Sequence, residues 1–303
     1  MADIPVEALA SRIGSQAVLL LALVALLLVS VTVFVAVAGT ALSRRRRAIR
    51  RVVGGLWRRS AGRAVPWLPE AAAGLARFTP GRYLLLHLAS GLLLSGALLA
   101  FLSLAEAVRE GGWLRRFDLA LAYALDQSKT VSGLRIFGVL TTLGSGYAIA
   151  TLGAVVAGGL LWRGRRLLCL GWVAALAGAG LLNWALKALY RRARPEFAET
   201  VLRAESWSFP SGHAMATLVT WGMLCYLLVI SERAAEAKIA SLAFSLVWIL
   251  VIGFSRLYLN AHYFSDVLAG YAAGAVWLAA CVSGLEIARR HRRRRPRGTT
   301  AAG

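Results

Sequence analysis

The chain has 303 residues, of which 58% are hydrophobic, and its 35 Lys and Arg outnumber its 14 Asp and Glu to give a formal net charge of +21. This composition excludes an ordinary soluble domain and is typical of a membrane protein. The positive charge does not indicate nucleic-acid binding, because the arginines cluster in loops beside apolar segments, where they suit anionic lipid headgroups. The three cysteines lie singly in apolar segments and predict neither disulfides nor a cysteine zinc site.

Seven apolar segments are long enough to cross a bilayer as helices. They run approximately over 17–42, 83–104, 141–162, 167–186, 214–230, 239–254 and 267–285. The first lacks an obvious small-residue cleavage site, so we interpret it as a retained span rather than a signal peptide. Because no Asp, Glu, Lys or Arg lies inside any segment, chemistry is expected at the span ends. The sequence thus predicts an all-α polytopic membrane helix bundle.

We expect three parts along the chain. Residues 1–82 form an N-terminal transmembrane helix with an Arg-rich cytoplasmic loop, 83–288 a six-span core, and 289–303 a basic cytoplasmic tail. Basic clusters at 44–63, 163–166 and 289–295 are separated by even numbers of spans, so they lie on one side, which the positive-inside rule assigns to the cytoplasm. The loops 188–212 and 255–266 are then outside. The Arg-rich loop is expected to contact anionic lipid headgroups.

The first candidate site motif is a group of cations at the outer end of the fourth span. Lys187, Arg191 and Arg194 have i, i+4, i+7 spacing and share one face if the helix continues to Pro195. Guanidinium and ammonium groups on one face would bind phosphate. The alternative is simple anchoring of a span at the interface.

The second motif is the heptapeptide Ser-Phe-Pro-Ser-Gly-His-Ala at 208–214, directly before the fifth span. Ser211 is expected to cap that helix, and the backbone N–H groups of Gly212 and His213 would face an anion, which helix N-termini favour. His213 would then be placed to donate a proton to a leaving oxygen. The alternative role is an interfacial hydrogen bond.

The third motif lies between the sixth and seventh spans. His262 and Asp266 are four residues apart and, if helical, face each other across one turn. A carboxylate that holds one ring nitrogen leaves the other as a nucleophile, and Arg256 would add a phosphate ligand. The alternatives are a surface ion pair or a metal site with His213, which the basic neighbours disfavour. Asp118, outside the three motifs, is predicted to cap a short outer helix.

Together, Lys187-x6-Arg194-Pro195, Pro210-Ser211-Gly212-His213 and Ser255-Arg256-x5-His262-x3-Asp266 resemble the three-part signature of the type 2 phosphatidic acid phosphatase superfamily. That family includes lipid phosphate phosphatases, glucose-6-phosphatase and vanadium haloperoxidases. The resemblance covers about 83–285. It implies that His262 attacks phosphorus, that Asp266 orients it and that His213 protonates the leaving group. It also implies no metal or other cofactor, and phosphoryl oxygens held by Lys187, Arg194, Ser211, Gly212 and Arg256.

The expected function is therefore hydrolysis of a phosphate monoester or pyrophosphate on a membrane lipid, through a phosphohistidine, at the outer face of the cytoplasmic (inner) membrane. Candidate substrates are undecaprenyl pyrophosphate, phosphatidylglycerol phosphate, phosphatidic acid and a lipid A phosphate. None of the site residues named above distinguishes between these lipids. Three alternatives remain: an anionic-lipid transporter or flippase that binds phosphate without cleaving it, a phosphatase for a soluble ester, and a vanadate-dependent oxidation.

Overall fold

The computed structural model of the protein describes residues 81–195, 206–231 and 235–294, together with Ala8. The predicted first span, the Arg-rich loop and the last residues of the basic tail lie outside these ranges. Every regular element in the described part of the chain is an α-helix, which confirms the predicted fold class. The helices are α1 (Gly81–Glu110), α2 (Trp113–Gln127), α3 (Val131–Thr142), α4 (Gly146–Trp162), α5 (Arg166–Tyr190), α6 (Gly212–Ser231), α7 (Ala235–Tyr258) and α8 (Phe264–Arg294).

Four of these helices, α5 to α8, are each long and apolar enough to cross a membrane. They contain the predicted fourth to seventh spans, and the predicted second span lies within α1. The predicted third span, 141–162, is wrong at its start: α3 and α4 together pass the same length and hydropathy test, but they are bent by 41° at a break. A new helix begins after this break because the Ser145 hydroxyl accepts the Ala148 N–H at 3.3 Å and caps α4. The protein is a multi-pass membrane protein.

The main core lies where α1, α5, α6 and α8 meet. Trp172, Met215, Val219 and Met223 are fully buried in it. Two indole N–H groups are satisfied across helices: Trp172 donates to the Gly153 carbonyl and Trp277 to the Ala175 carbonyl, both at 2.9 Å. These bonds matter because a buried polar group finds no water in an apolar layer.

Two glycines four residues apart allow α6 and α8 to approach closely. A Cβ at Gly270 would lie 2.6 Å from the Ser211 carbonyl oxygen, and one at Gly274 would lie 3.1 Å from that of Met215. Small residues at this spacing let helix backbones pack together in membranes. The contact brings the first turn of α6 against that of α8, where the Ser211 N–H donates to the Asp266 carbonyl at 2.9 Å. The second and third motifs therefore meet at one end of the bundle.

Candidate active site

The cation motif begins at the end of α5 but does not continue as a helix. Arg191 adopts the left-handed conformation, with φ 44° and ψ 41°, and its N–H closes the helix on the Lys187 carbonyl at 3.1 Å. The prediction of a helix extending to Pro195 is therefore wrong. The exposed Arg191 side chain turns back to the Ala188 carbonyl at 3.0 Å, whereas Arg192 and Arg194 turn towards the other motifs. The Ser208 N–H donates to the Arg192 carbonyl at 2.8 Å and holds the first two motifs together.

His262 lies in the turn between α7 and α8, not on a helix as its spacing to Asp266 suggested. Asn260, with φ 50°, reverses the chain after α7, and the N–H of His262 donates to the Arg256 carbonyl at 3.2 Å. Asn tolerates this left-handed backbone better than most residues. The predicted pair nevertheless forms, because Asp266 in the first turn of α8 lies 3.4 Å from His262 Nδ1.

Asp266 is fully buried and held at both oxygens. Its Oδ2 accepts hydrogen bonds from the Ser208 hydroxyl and, at 2.9 Å, from the Tyr263 N–H. Its Oδ1 accepts a 2.6 Å charge-assisted bond from Arg192 Nη1. A carboxylate fixed in this way can in turn fix the orientation of the His262 ring. Ser208, whose hydroxyl also lies 3.5 Å from His262 Nδ1, lies within the predicted second motif, but sequence reasoning gives it no role.

The other ring nitrogen of His262 faces a cation. Arg194 Nη1 lies 3.4 Å from His262 Nε2 and donates to the Ala261 carbonyl at 2.7 Å. Burial lowers the pKa of His262 to about 3, against the opposing influence of Asp266. The imidazole is therefore neutral at physiological pH and keeps the lone pair that a nucleophile needs. An anion bound to Arg194 would lie directly beside that lone pair.

The other predicted phosphate ligands lie at the same end of the bundle. The Lys187 ammonium donates to the Trp207 carbonyl and lies 3.5 Å from the Ser206 hydroxyl. Arg256 is only 5% exposed, and its Nη1 donates to the Thr141 hydroxyl at 2.7 Å. Its buried Nε–H has no hydrogen-bond partner among the described residues, which is uncommon for a buried donor. Lys187, Arg194 and Arg256 all lie close enough to interact electrostatically with His213.

The start of α6 agrees with the sequence prediction. The Ser211 hydroxyl accepts the Ala214 N–H at 3.4 Å and caps the helix. A Cβ at Gly212 would lie 2.9 Å from the Asn183 side-chain oxygen, so a larger residue would not fit there. His213, in the first turn of α6, interacts electrostatically with His262 as well as with the three cations. The structure thus brings all eight predicted site residues together and excludes only Arg191 from the predicted cation group.

Sequence reasoning missed a buried ion-pair network behind Asp266. Arg192 Nη2 donates to Asp118 Oδ2 at 2.8 Å while Nη1 holds Asp266. Asp118 also accepts the Ser265 hydroxyl and, at 3.1 Å, the Ser265 N–H. The expected capping role of Asp118 is wrong, because α2 begins at Trp113 and Asp118 lies one turn inside it with 1% exposure. Burial raises the pKa of its carboxyl, with Arg192 opposing. No local pattern pairs residues 74 positions apart.

An open groove of about 480 Å³ lies between α1, α2 and the segment 192–194. Arg194 and Tyr263 line its inner side, Arg115 lines it from α2, and Val108 and Leu119 add apolar surface. Arg194 links the groove to His262 Nε2. Among the described residues, no cluster of three His, Cys, Asp or Glu side chains is placed to hold a metal ion.

Comparisons with known proteins find a similar family and similar proteins. A sequence model described as the PAP2 superfamily matches residues 166–290, which contain all three motifs. Phosphatidylglycerophosphatase B of Bacillus subtilis (strain 168) is 38% identical over 96 residues, which are 31% of this chain and 46%, about half, of that relative. The crystal structure of a transmembrane PAP2 type phosphatidylglycerolphosphate phosphatase from Bacillus subtilis matches with a TM-score of 0.59 and 26% identity. That match covers 65% of this chain and 97% of the other. Over residues 166–290 the chain is therefore similar to the PAP2 superfamily.

Proposed function

We propose that the protein is a membrane phosphatase that hydrolyses the terminal phosphate of a lipid, with His262 as the nucleophile. The observation that supports the proposal most strongly is the environment of the His262 imidazole. Asp266 lies at Nδ1, the Arg194 guanidinium lies at Nε2, and the neutral imidazole is buried between them. A neutral histidine oriented by a carboxylate and facing an anion-binding cation suits attack on phosphorus.

The reaction proceeds in two displacements. Arg194, Lys187 and the free Nε–H of Arg256 bind the phosphoryl oxygens and neutralise the charge that spreads over them. His262 Nε2 attacks phosphorus, the N–P bond forms, and the P–O bond to the lipid breaks as His213 protonates the departing oxygen. Water, deprotonated by His213, then attacks the phosphohistidine. The N–P bond breaks, and inorganic phosphate leaves with both histidines restored.

We propose that this chemistry needs no metal, because the charge that a divalent ion would supply is provided by three cationic side chains. The substrate class is a lipid that carries a phosphate monoester or a diphosphate. The two Bacillus relatives carry the name of a phosphatidylglycerophosphate phosphatase, so phosphatidylglycerol phosphate is the first substrate to test. Undecaprenyl pyrophosphate, phosphatidic acid and a lipid A phosphate follow. The positive-inside rule supports a site on the outer face of the cytoplasmic membrane.

The test is phosphate release by the purified protein from these four lipids in the presence of EDTA. His262→Ala should lower turnover by at least ~10³-fold, since removing the nucleophile of a histidine-centred mechanism is among the largest single losses. His291→Ala is the matched control, because His291 is exposed near the far end of α8. Near-normal turnover by a correctly folded His262→Ala protein would overturn the proposed mechanism. Abolition of turnover by EDTA would overturn its metal independence.

The intermediate has a separate test. A rapid alkaline quench of enzyme with labelled substrate should trap a base-stable, acid-labile phosphoprotein that His262→Ala does not form. A transporter or flippase would instead release no phosphate, would be indifferent to His262→Ala, and would still depend on Lys187 and Arg256. The combined results therefore distinguish an enzyme from a carrier.

A further inference from the structure

A second cationic cavity lies at the end of the bundle opposite the candidate active site. Its volume is about 380 Å³, and Arg165, Arg166, Arg289 and Arg292 line it. A helix rises 1.5 Å per residue, so Arg166 lies roughly 30 Å along α5 from Lys187. That distance equals the thickness of a bilayer hydrocarbon core. The cavity therefore belongs to the other membrane interface, where the sequence predicts the cytoplasm.

From its arginine lining and its position we infer that this cavity binds the phosphate headgroup of an anionic membrane phospholipid. The inference is independent of the proposed phosphatase activity, since it uses no residue of that site. Two basic clusters, far apart in the sequence, converge here: Arg165 and Arg166 from the start of α5, and Arg289 and Arg292 from the end of α8. Guanidinium groups bind phosphate oxygens in bidentate pairs.

The position of the arginines is set by their neighbours. Arg289 is held by Glu286 and donates to the Tyr226 hydroxyl at 3.0 Å. Arg165 Nη1 donates to the Ser231 hydroxyl at 3.1 Å, which ties the start of α5 to the end of α6. Within the described ranges, Glu286 is the one acidic partner that these contacts show, so the cavity keeps most of its positive charge.

The start of α5 adds backbone donors to this charge. Arg165 is the N-cap residue, and its side chain makes no capping hydrogen bond to the helix. The first N–H groups of α5 therefore have no partner from the N-cap side chain, and the positive end of the helix dipole lies among the residues that line the cavity. Gly164, at φ +68°, makes the tight turn that exposes them, and a Cβ at this position would meet open space.

The apolar walls favour a lipid over free phosphate. Leu167, Leu168 and Ile230 line the cavity beside the arginines. A soluble anion would make no favourable contact with this apolar surface, whereas the first methylene groups of an acyl chain would pack on it. Headgroup and chain would thus be bound by adjacent parts of one cavity, as expected at a membrane interface.

The test is binding of phosphatidylglycerol to the purified full chain, measured by native mass spectrometry and by thermal stabilisation in detergent, with phosphatidylcholine as the neutral lipid. Each basic residue near an anionic lipid strengthens binding by about fivefold, so Arg165→Gln with Arg166→Gln should weaken it by about 25-fold. Arg163→Gln, which removes an exposed cation outside the cavity, should leave it unchanged. Hydrolysis of a short-chain soluble substrate should also be unchanged in the double variant.

Two further arms identify the ligand and the location. Inorganic phosphate or glycerophosphoglycerol, which lack acyl chains, should fail to displace the lipid at equal concentration, and effective displacement would overturn the assignment to a lipid. Lys187→Ala with Arg194→Ala should retain the bound phosphatidylglycerol, because those residues lie at the other interface. Loss of the lipid in that variant, or its full retention in the Arg165 and Arg166 double variant, would overturn the proposed site.

Discussion

Arg192→Met tests whether the buried network behind Asp266 positions His262, the proposed nucleophile. Arg192 is 15% exposed and bridges two carboxylates whose side chains are 0% exposed. Removing one partner of a buried ion pair costs about 3–5 kcal/mol, because a charge is left unpaired. Two carboxylates lose their partner here, but burial already raises the pKa of Asp118. Asp118 therefore takes up a proton, and we expect a loss near that single-pair value rather than twice it.

The loss has a measurable size. For a protein of this size, 1 kcal/mol corresponds to about 2–4 °C in Tm, so Arg192→Met should melt about 6–20 °C below the wild type. Arg191→Met is the matched control, since this neighbouring side chain is exposed and donates to the Ala188 carbonyl of its own helix. It should shift Tm by less than about 2 °C. Tryptophan fluorescence in detergent measures both.

A kinetic readout separates positioning from general stability. Without the Arg192 bond to its Oδ1, Asp266 no longer holds the His262 ring in one orientation, so kcat should fall while KM changes little. Adding Asp118→Asn to Arg192→Met should change Tm little further, because Asp118 is already neutral in the single variant. If Arg192→Met melts within about 2 °C of the wild type and keeps its kcat, the network has no positioning role and the reasoning fails.

Three further predictions concern helix packing, protonation and the groove. Gly270→Ala should lower the free energy of unfolding by about 1–3 kcal/mol and remove most activity, because its Cβ would lie 2.6 Å from the Ser211 carbonyl oxygen. Gly284→Ala is the control, since a Cβ there meets open space and should leave stability unchanged. Equal melting points for the two variants would contradict this. The pKa of His262, lowered to about 3, keeps the ring neutral down to about pH 4, so its ¹⁵N shifts should not titrate between pH 8 and 5; protonation near pH 6 would contradict the burial argument. Arg115→Gln should raise KM for phosphatidylglycerol phosphate more than for phosphatidic acid, since Arg115 lines the groove where a second phosphate would lie; equal effects would exclude that contact.

Local patterns are sufficient for the parts of the site that are local. The cap at Ser211 follows from residue type and position, and the contact between His262 and Asp266 survives although the turn geometry differs from a helix. The end of α5 escapes prediction because Arg191 is a non-glycine residue in a left-handed conformation, which its sequence context does not signal. The predicted third span crosses the break between α3 and α4, since the hydropathy is continuous there.

The site features that the sequence does not predict depend on ion pairs between residues far apart in the chain. The run Arg191-Arg192-Ala193-Arg194 presents three similar cations, and nothing in their spacing tells which one meets a carboxylate. The left-handed turn at Arg191 determines which cation meets which partner. Arg191 lies at the surface, Arg192 contacts Asp118 and Asp266, and Arg194 contacts His262. Asp118, on a helix outside the three motifs, could be recognised as part of the site only after the chain had folded.

The same pairing sets the charge that a substrate meets. With both carboxylates ionised, Arg192 neutralises one of its two partners and leaves a single negative charge buried behind His262. Lys187, Arg194 and Arg256 face the space in front, and the histidine between the two groups is neutral. Apart from the proton that His213 donates to the departing oxygen in the proposed mechanism, two positive charges therefore remain uncompensated at the site. A dianionic phosphate monoester, or the terminal phosphate of a diphosphate, balances them, whereas a phosphodiester carries one charge too few. Ordinary membrane phospholipids, which surround the site in large excess, are diesters and are disfavoured by this balance.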